Sequence, residues 1–432
     1  MKDHKYLHGD LNSAMKYLVV RTQCGKKLSV QVRVNVGSRD ETDDIRGISH
    51  LLEHMFFQGS KKYPTSKELE VEVYKCGGKL NAYTDYHETV YHTEGSKDCV
   101  ETIVEIMAFS LYESLILAKN LENEKKVVIN EINDGLSNPE TFVLQQLMRT
   151  VYQGTRLEQD IGGNEASVKN ITVQKLKNFL NTYYSQNMIV TLCCSDPPKK
   201  GVELLKQYFS EIPQYKVKPM KPITSDKKRH LYPNHPFQQT NGKIKFTKDS
   251  SEQSFISLSF PSYRYSEHQK GYAMILVSEI LTGYMNSRLY TVLRQEKGLI
   301  YHMNSGSEFN EDMGIFIVNC TVKNQKKTVT QCVKLLLTTI LDLSDTLTED
   351  DLDSSKKHLI ESIRLGKDEP HYIAAEYAQD LYHLNKIVTL ADKIKTIQGL
   401  TLKDTKDVSR AVFKKKYCCI SYSGSSNYLK FD

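Results

Sequence analysis

Two periods alternate along the chain. From Lys27 to Val34 apolar and polar positions alternate in the two-residue rhythm of a half-buried strand. Shortly after, Ile45, Ile48, Leu51, Leu52, Met55 and Phe56 recur at three- and four-residue steps, which predicts an amphipathic helix from about Asp44. Gly59 is placed to end it. The first half closes on Met188–Cys194, an apolar run that predicts a strand before a Ser-Asp-Pro-Pro turn. The second half repeats the scheme with a strand over Phe255–Phe260 and a helix from about Gly271. Its closing strand covers Tyr417–Tyr422, before Ser-Gly-Ser. Both closing strands carry a Cys-Cys pair. Strands grouped with long helices, rather than strictly alternating with them, predict an α+β domain used twice. Each copy is expected to be a mostly antiparallel sheet with helices packed on one face.

Five of the 11 prolines, Pro213, Pro219, Pro222, Pro233 and Pro236, fall in a Lys-rich stretch with neither period. That predicts a linker. The expected division is a first domain over 1–212, a Pro-rich linker over 213–240 and a second domain over 241–432. A length of 432 residues accommodates this, since domains run to roughly 100–200 residues. No apolar run approaches the ~18 residues of a membrane span. Lys and Arg number 58 against 52 Asp and Glu, a net charge of +6, which does not indicate a polyanionic partner. No basic motif interleaved with aromatics appears, so a nucleic-acid role is set aside. The nine cysteines form no CxxC pair, and an odd count argues for a reducing compartment. The paired cysteines read as small buried hydrophobes. The segment Met1–Lys5 has no hydrophobic signal region, and Asp3 and Asp10 are unlike a transit peptide. A soluble, intracellular protein is the expectation.

The chemistry concentrates between Gly47 and Gly59. With Ile45 at 0° and about 100° per residue, the apolar stripe centres near 310°, while Glu53, His50 and His54 lie near 80°, 140° and 180°. The three polar side chains therefore form one patch opposite the core. Histidines at i and i+4 stand one above the other and can reach a single metal ion. Glu53 sits beside them, placed to take a proton from water on that metal, in the H-x-x-E-H order of an inverted zincin. Zinc needs a third protein ligand. The helix-forming stretch from Leu121 to Asp134 offers Glu124 and Glu131, seven apart and so on one face. Val127 and Val128 are assigned to that face, which places both carboxylates in partly apolar surroundings, where a metal or a cationic network would satisfy them.

His50-Leu-Leu-Glu53-His54, followed after 76 residues by Glu131, resembles the pitrilysin family of zinc metallopeptidases. The resemblance implies one Zn2+ per chain, held by His50, His54 and Glu131, with Glu53 as catalytic base and Glu124 supporting the ligands from behind. Gly77-Gly78-Lys-Leu-Asn81-Ala82-Tyr83-Thr84 resembles the family's substrate-pairing strand, and a Gly pair suits a tight turn into an edge strand. Asn81, Ala82, Tyr83 and Thr84 are thereby assigned to substrate binding. Ser287 to Tyr301 resembles the element in which Arg294 and Tyr301 hold the substrate carbonyl and stabilise the tetrahedral intermediate. Aligning Gly47 with Gly271 sets Met274, Val277 and Ser278 against His50, Glu53 and His54, so the second half is expected to be a clamp without metal ligands. Asn130-Glu131-Ile132-Asn133 departs from the more acidic run common in the family.

What the resemblance implies overall is a clam-like pair of homologous domains around a chamber. Its expected activity is zinc-dependent endopeptidase cleavage of extended or unfolded peptides. Members of this size class act as dimers, so a homodimer or a heterodimer with a related subunit is expected. The compartment expected is the cytoplasm, with the mitochondrial matrix as the family's other option. A competing expectation is a zinc-retaining binding or assembly subunit of a larger complex that does no proteolysis.

Overall fold

The computed structural model describes residues 3–184, 188–210, 242–311 and 313–429. The expected linker over 213–240 lies outside these. The described residues form two compact units. One gathers those within 3–133, 159–210 and 364–391; the other gathers those within 134–158, 242–363 and 392–429. Each unit thus takes one segment from the other side of the Pro-rich stretch.

The first unit is built on strands β1 (Lys5–Asp10), β2 (Met15–Arg21), β3 (Lys27–Val34), β4 (Lys79–Thr84), β5 (Thr89–Ser96) and β6 (Met188–Cys194), in the order β1-β2-β6-β3-β5-β4. Only β2 and β6 run parallel. β4 is therefore an edge. It follows Gly77 (φ +60°), whose left-handed conformation makes the tight turn before the strand. One face of the sheet presents Val30, Val32, Val34, Val190 and Leu192 to the helices Ile48–Phe56 and Val100–Tyr112. The other face of β3 receives the helix Pro370–Leu384: Gln31 Nε2 donates to the His371 carbonyl at 3.1 Å, and Tyr382 bonds Asn35. Both faces being covered explains why β3 is buried after its first residue and β6 throughout.

The second unit repeats the plan with β7 (Lys243–Lys248), β8 (Gln253–Ser262), β9 (Ile300–Glu308), β10 (Gly314–Lys323) and β11 (Cys419–Gly424), ordered β7-β11-β8-β10-β9. Its single parallel pair is β11 with β7. Dropping β1, the two sheets have the same order and the same senses of pairing, so the duplication expected from the hydrophobic pattern is present. The helix Pro139–Val151 packs on β11, β8 and β7. No helix is long and apolar enough to cross a membrane, among the described residues.

The helix bearing the histidines differs from expectation at both ends. The chain makes one 3-10 turn at Asp43–Ile45, breaks at Arg46 (ψ 132°), and starts the helix only after Gly47. Gly47 has φ +85°, and a Cβ there would lie 2.3 Å from the Gly162 carbonyl oxygen, so only glycine fits. The buried Glu41 carboxylate accepts from the backbone N–H of Gly47 at 2.7 Å and of Ser49 at 2.8 Å, satisfying two donors of the helix N-terminus. The helix ends at Phe56, and Gly59 (φ +125°) lies in the turn beyond. Ile48, Leu51, Leu52, Met55 and Phe56 are all at most 1% exposed. Each such burial contributes roughly 1.5–3 kcal/mol. Leu52→Ala is expected to destabilise the first unit by about 2–5 kcal/mol, read as a lowered urea midpoint of that unit's transition.

Candidate metal centre

Because the core claims one side of Ile48–Phe56, its other side carries the polar patch. His50 and His54 stand one turn apart with ring centroids 4.8 Å apart and planes at 82°. The helix Ala118–Ser137 brings Glu131 to both: its Oε2 lies 3.8 Å from His50 Nε2 and 3.6 Å from His54 Nε2. The three donor atoms lie within 4.8 Å of one another, the only such group of three among the described residues. Donors at the corners of a tetrahedron with ~2.1 Å bonds would be about 3.4 Å apart, so the group needs little adjustment to close on an ion. From the same helix, Glu124 Oε2 bonds His54 Nδ1 at 3.0 Å, which turns Nε2 of that ring towards Glu131. The buried Nδ1 of His50 has no hydrogen-bond partner among the described residues; Gly162 lies behind it, where a Cβ would sit 3.7 Å away.

Val127 departs from its expected place. It is 42% exposed, whereas Val128 is fully buried. The carboxylates differ likewise, the Glu124 side chain being 13% exposed and that of Glu131 48%. At 100° per residue Val127 falls on the solvent side of the Glu124–Glu131 line, so only Glu124 has partly apolar surroundings.

Glu53 is 7% exposed. Its Oε2 accepts from Thr84 Oγ1 at 2.5 Å. Beside it Tyr91 and Tyr184 are buried with their hydroxyls 3.0 Å apart. Burial pushes the Glu53 carboxyl above its ordinary range, against the Thr84 bond and the charge of His54. Burial pushes His50 down to about 4, helped by His54. For His54 burial also pulls down, but the Glu124 bond and the carboxylate charges outweigh it and the net shift is upward. Glu41 is pushed to about 8 by burial, against its two backbone hydrogen bonds.

Asn81, Ala82, Tyr83 and Thr84 all fall in the edge strand β4. Asn81, Tyr83 and Lys79 are exposed, whereas Leu80, Ala82 and Thr84 are half-buried. Asn81 Oδ1 accepts from the Ala82 N–H at 2.9 Å. Arg294 lies in the second unit, in a widened π-type turn at Thr291–Gln295. Its Nη1 donates to the carbonyl of Tyr301, which is the second residue of β9 and 57% exposed. Met274, Val277 and Ser278 are buried, and Ser278 Oγ bonds the Ser305 carbonyl at 2.9 Å. One group, Glu41, and one contact, that of Thr84 with Glu53, escaped sequence reasoning. Glu41 is one of several acids ahead of the helix (Asp40, Asp43, Asp44), and nothing in the pattern singles it out. Thr84 is expected in the substrate strand, but its bond to Glu53 joins a strand to a separate helix, and no local pattern signals it.

Residues 17–165 match the family described as Insulinase (Peptidase family M16), and residues 170–359 match the one described as Peptidase M16 inactive domain. Among curated proteins, the chain is 25% identical over 403 residues to the uncharacterized zinc protease YmxG of Bacillus subtilis, spanning 93% of this chain and 94% of that one. It is also 25% identical over 407 residues to the mitochondrial-processing peptidase subunit beta of Neurospora crassa, spanning 92% and 83%. A solved protease structure from Helicobacter pylori shares the fold with a TM-score of 0.86 at 20% identity, over 98% of this chain and 100% of that one.

A histidine held near 4 binds fewer protons folded than unfolded between about pH 4 and its ordinary 6.5. Its contribution is therefore intact above 6.5 and lost as pH falls towards 4. In chelator-treated protein, the thermal midpoint of wild type should fall relative to that of His50→Gln across this window. Glu124→Ala is expected to weaken divalent-metal binding 10- to 100-fold, measured by chelator competition.

Proposed function

The chain belongs to peptidase family M16, and from that footing we propose that it is a zinc-dependent endopeptidase acting on extended or unfolded peptides. The observation that carries this reading is the convergence of His50 Nε2, His54 Nε2 and a Glu131 oxygen, with the Glu53 carboxylate one helical step away. Two imidazole nitrogens and one carboxylate oxygen suit zinc, and such a set leaves one tetrahedral position open. A zinc ion bound there would supply Lewis acidity, making a water more acidic and a substrate carbonyl more electrophilic.

The rest is the work of the chain's own groups. His50, kept neutral by burial, offers its nitrogen without first losing a proton. Glu124 fixes the tautomer of His54. Glu53, raised by burial, is suited to accept a proton from the attacking water and pass it to the leaving amine nitrogen. The free edge of β4, over Asn81–Thr84, offers backbone groups to an extended peptide. Arg294 and Tyr301 are assigned to the substrate carbonyl and the developing charge. The region 1–212 carries the ligands, and 241–432, joined to it through 213–240, serves as clamp. Dimerisation with a copy or a related subunit is part of the proposal, supported by the Neurospora relative's designation as a subunit. All nine cysteines are free, which supports a reducing compartment and so the cytoplasm, with the mitochondrial matrix as the other option.

The test is cleavage of a quenched peptide library together with elemental analysis. Glu53→Gln should retain one zinc per chain and lose 10²- to 10⁴-fold in turnover, the usual weight of a general base. His50→Ala and His54→Ala should lose zinc and activity together. Undiminished cleavage by Glu53→Gln would sink the mechanism, and zinc retention without any cleavage by wild type would favour the assembly-subunit reading.

A further inference from the structure

Resting on that peptidase reading, we infer that Thr84 is a positioning residue for Glu53, and that β4 thereby ties the docking of a peptide to the orientation of the base. The Thr84 hydroxyl donates to Glu53 Oε2 at 2.5 Å, and no other hydrogen bond to that carboxylate exists among the described residues. Glu53 has two side-chain torsions beyond χ1 and a largely apolar helix beneath it. With no partner its carboxylate would sample several orientations. One hydroxyl on Oε2 selects an orientation and leaves Oε1 as the acceptor for a proton.

Thr84 is itself firmly held. It ends β4 opposite Thr89. The next residues are tied down on two sides: Asp85 N–H bonds the Glu88 carbonyl at 2.8 Å, Ser38 N–H bonds the Asp85 carbonyl at 3.1 Å, and Arg39 N–H bonds the Tyr86 carbonyl at 3.1 Å. Gly37 lets these backbones meet, since a Cβ there would lie 2.3 Å from the Asp85 oxygen. The alternation of β4 turns Leu80, Ala82 and Thr84 to one face while the strand's backbone edge stays free for pairing. A peptide added to that edge would therefore share a rigid strand with the group that orients the base. A shift of even 1 Å at a reacting group can cost up to about 100-fold, so one strand setting both positions removes a source of mismatch.

The hydroxyl is separable from the packing. Valine keeps the shape of threonine and loses the donor; serine keeps the donor and loses the methyl. Zinc-loaded wild type, Thr84→Val and Thr84→Ser are compared for kcat and KM on one quenched peptide, for zinc content, and by crystal structure. Thr84→Ala replaces the valine variant if that one does not fold. The expected result is a kcat lowered ~10- to 100-fold in Thr84→Val with KM changed less than about twofold, zinc retained, and recovery in Thr84→Ser. The Glu53 carboxylate should leave its place in the valine variant and keep it in the serine variant. An unchanged kcat, a raised KM alone, an equally slow serine variant, or a Glu53 that stays put in Thr84→Val each overturns the inference. If wild type cleaves nothing, the peptidase reading falls separately, and the Glu53 position in the variant structures decides this inference alone.

Discussion

Everything at the candidate metal centre depends on how one nine-residue helix is gripped. Ile48–Phe56 commits Ile48, Leu51, Leu52, Met55 and Phe56 to the core. That burial sets its rotation about its axis, because turning it would expose several fully buried side chains at roughly 1.5–3 kcal/mol each. Glu41 and the Gly47–Gly162 contact fix its start. With rotation and start both set, His50 and His54 can face only one way, and Glu131 meets them from the helix Ala118–Ser137. The imidazoles are thus positioned by apolar packing more than by their own hydrogen bonds, which suits groups whose donor atoms must stay available.

The second unit shows what the same architecture does without that task. Its sheet repeats the order and the single parallel pair of the first. On its corresponding helix, however, the three aligned positions are Met274, Val277 and Ser278, and all are buried. The face that carries the candidate site in one copy has become packing surface in the other. This agrees with the match of residues 170–359 to a family domain described as inactive.

Local patterns made much of this legible. The strand over Lys27–Val34 and the closing strand over Met188–Cys194 were readable to the residue, because alternation and a wholly apolar run have few other interpretations. The helix start was misplaced because Ile45 continues the helical spacing, while what stops the helix there is a contact with Gly162, over a hundred residues away. The side-by-side placing of His50 and His54 was legible through the i, i+4 rule. Exposure was less so: Val127 and Glu131 lie on the rim of their helix, where one step of 100° separates buried from solvated. The partner of the Glu53 carboxylate was hidden for a similar reason, since a hydroxyl on a strand and an acid on a helix meet only through tertiary structure.

The helix Pro370–Leu384 has a bearing on biosynthesis. It covers the back of β3 and β6, yet it follows Cys194 by 175 residues. At about 5–20 residues per second, a ribosome would need roughly ten to forty seconds to complete it after finishing β6. Through that interval the sheet that supports the helix bearing His50 and His54 would stand with one side bare, carrying Ile189, Cys193 and Leu18 into solvent. A nascent chain in that state is a client for holding chaperones, and a gene truncated after the first half would encode a sheet lacking its own cover.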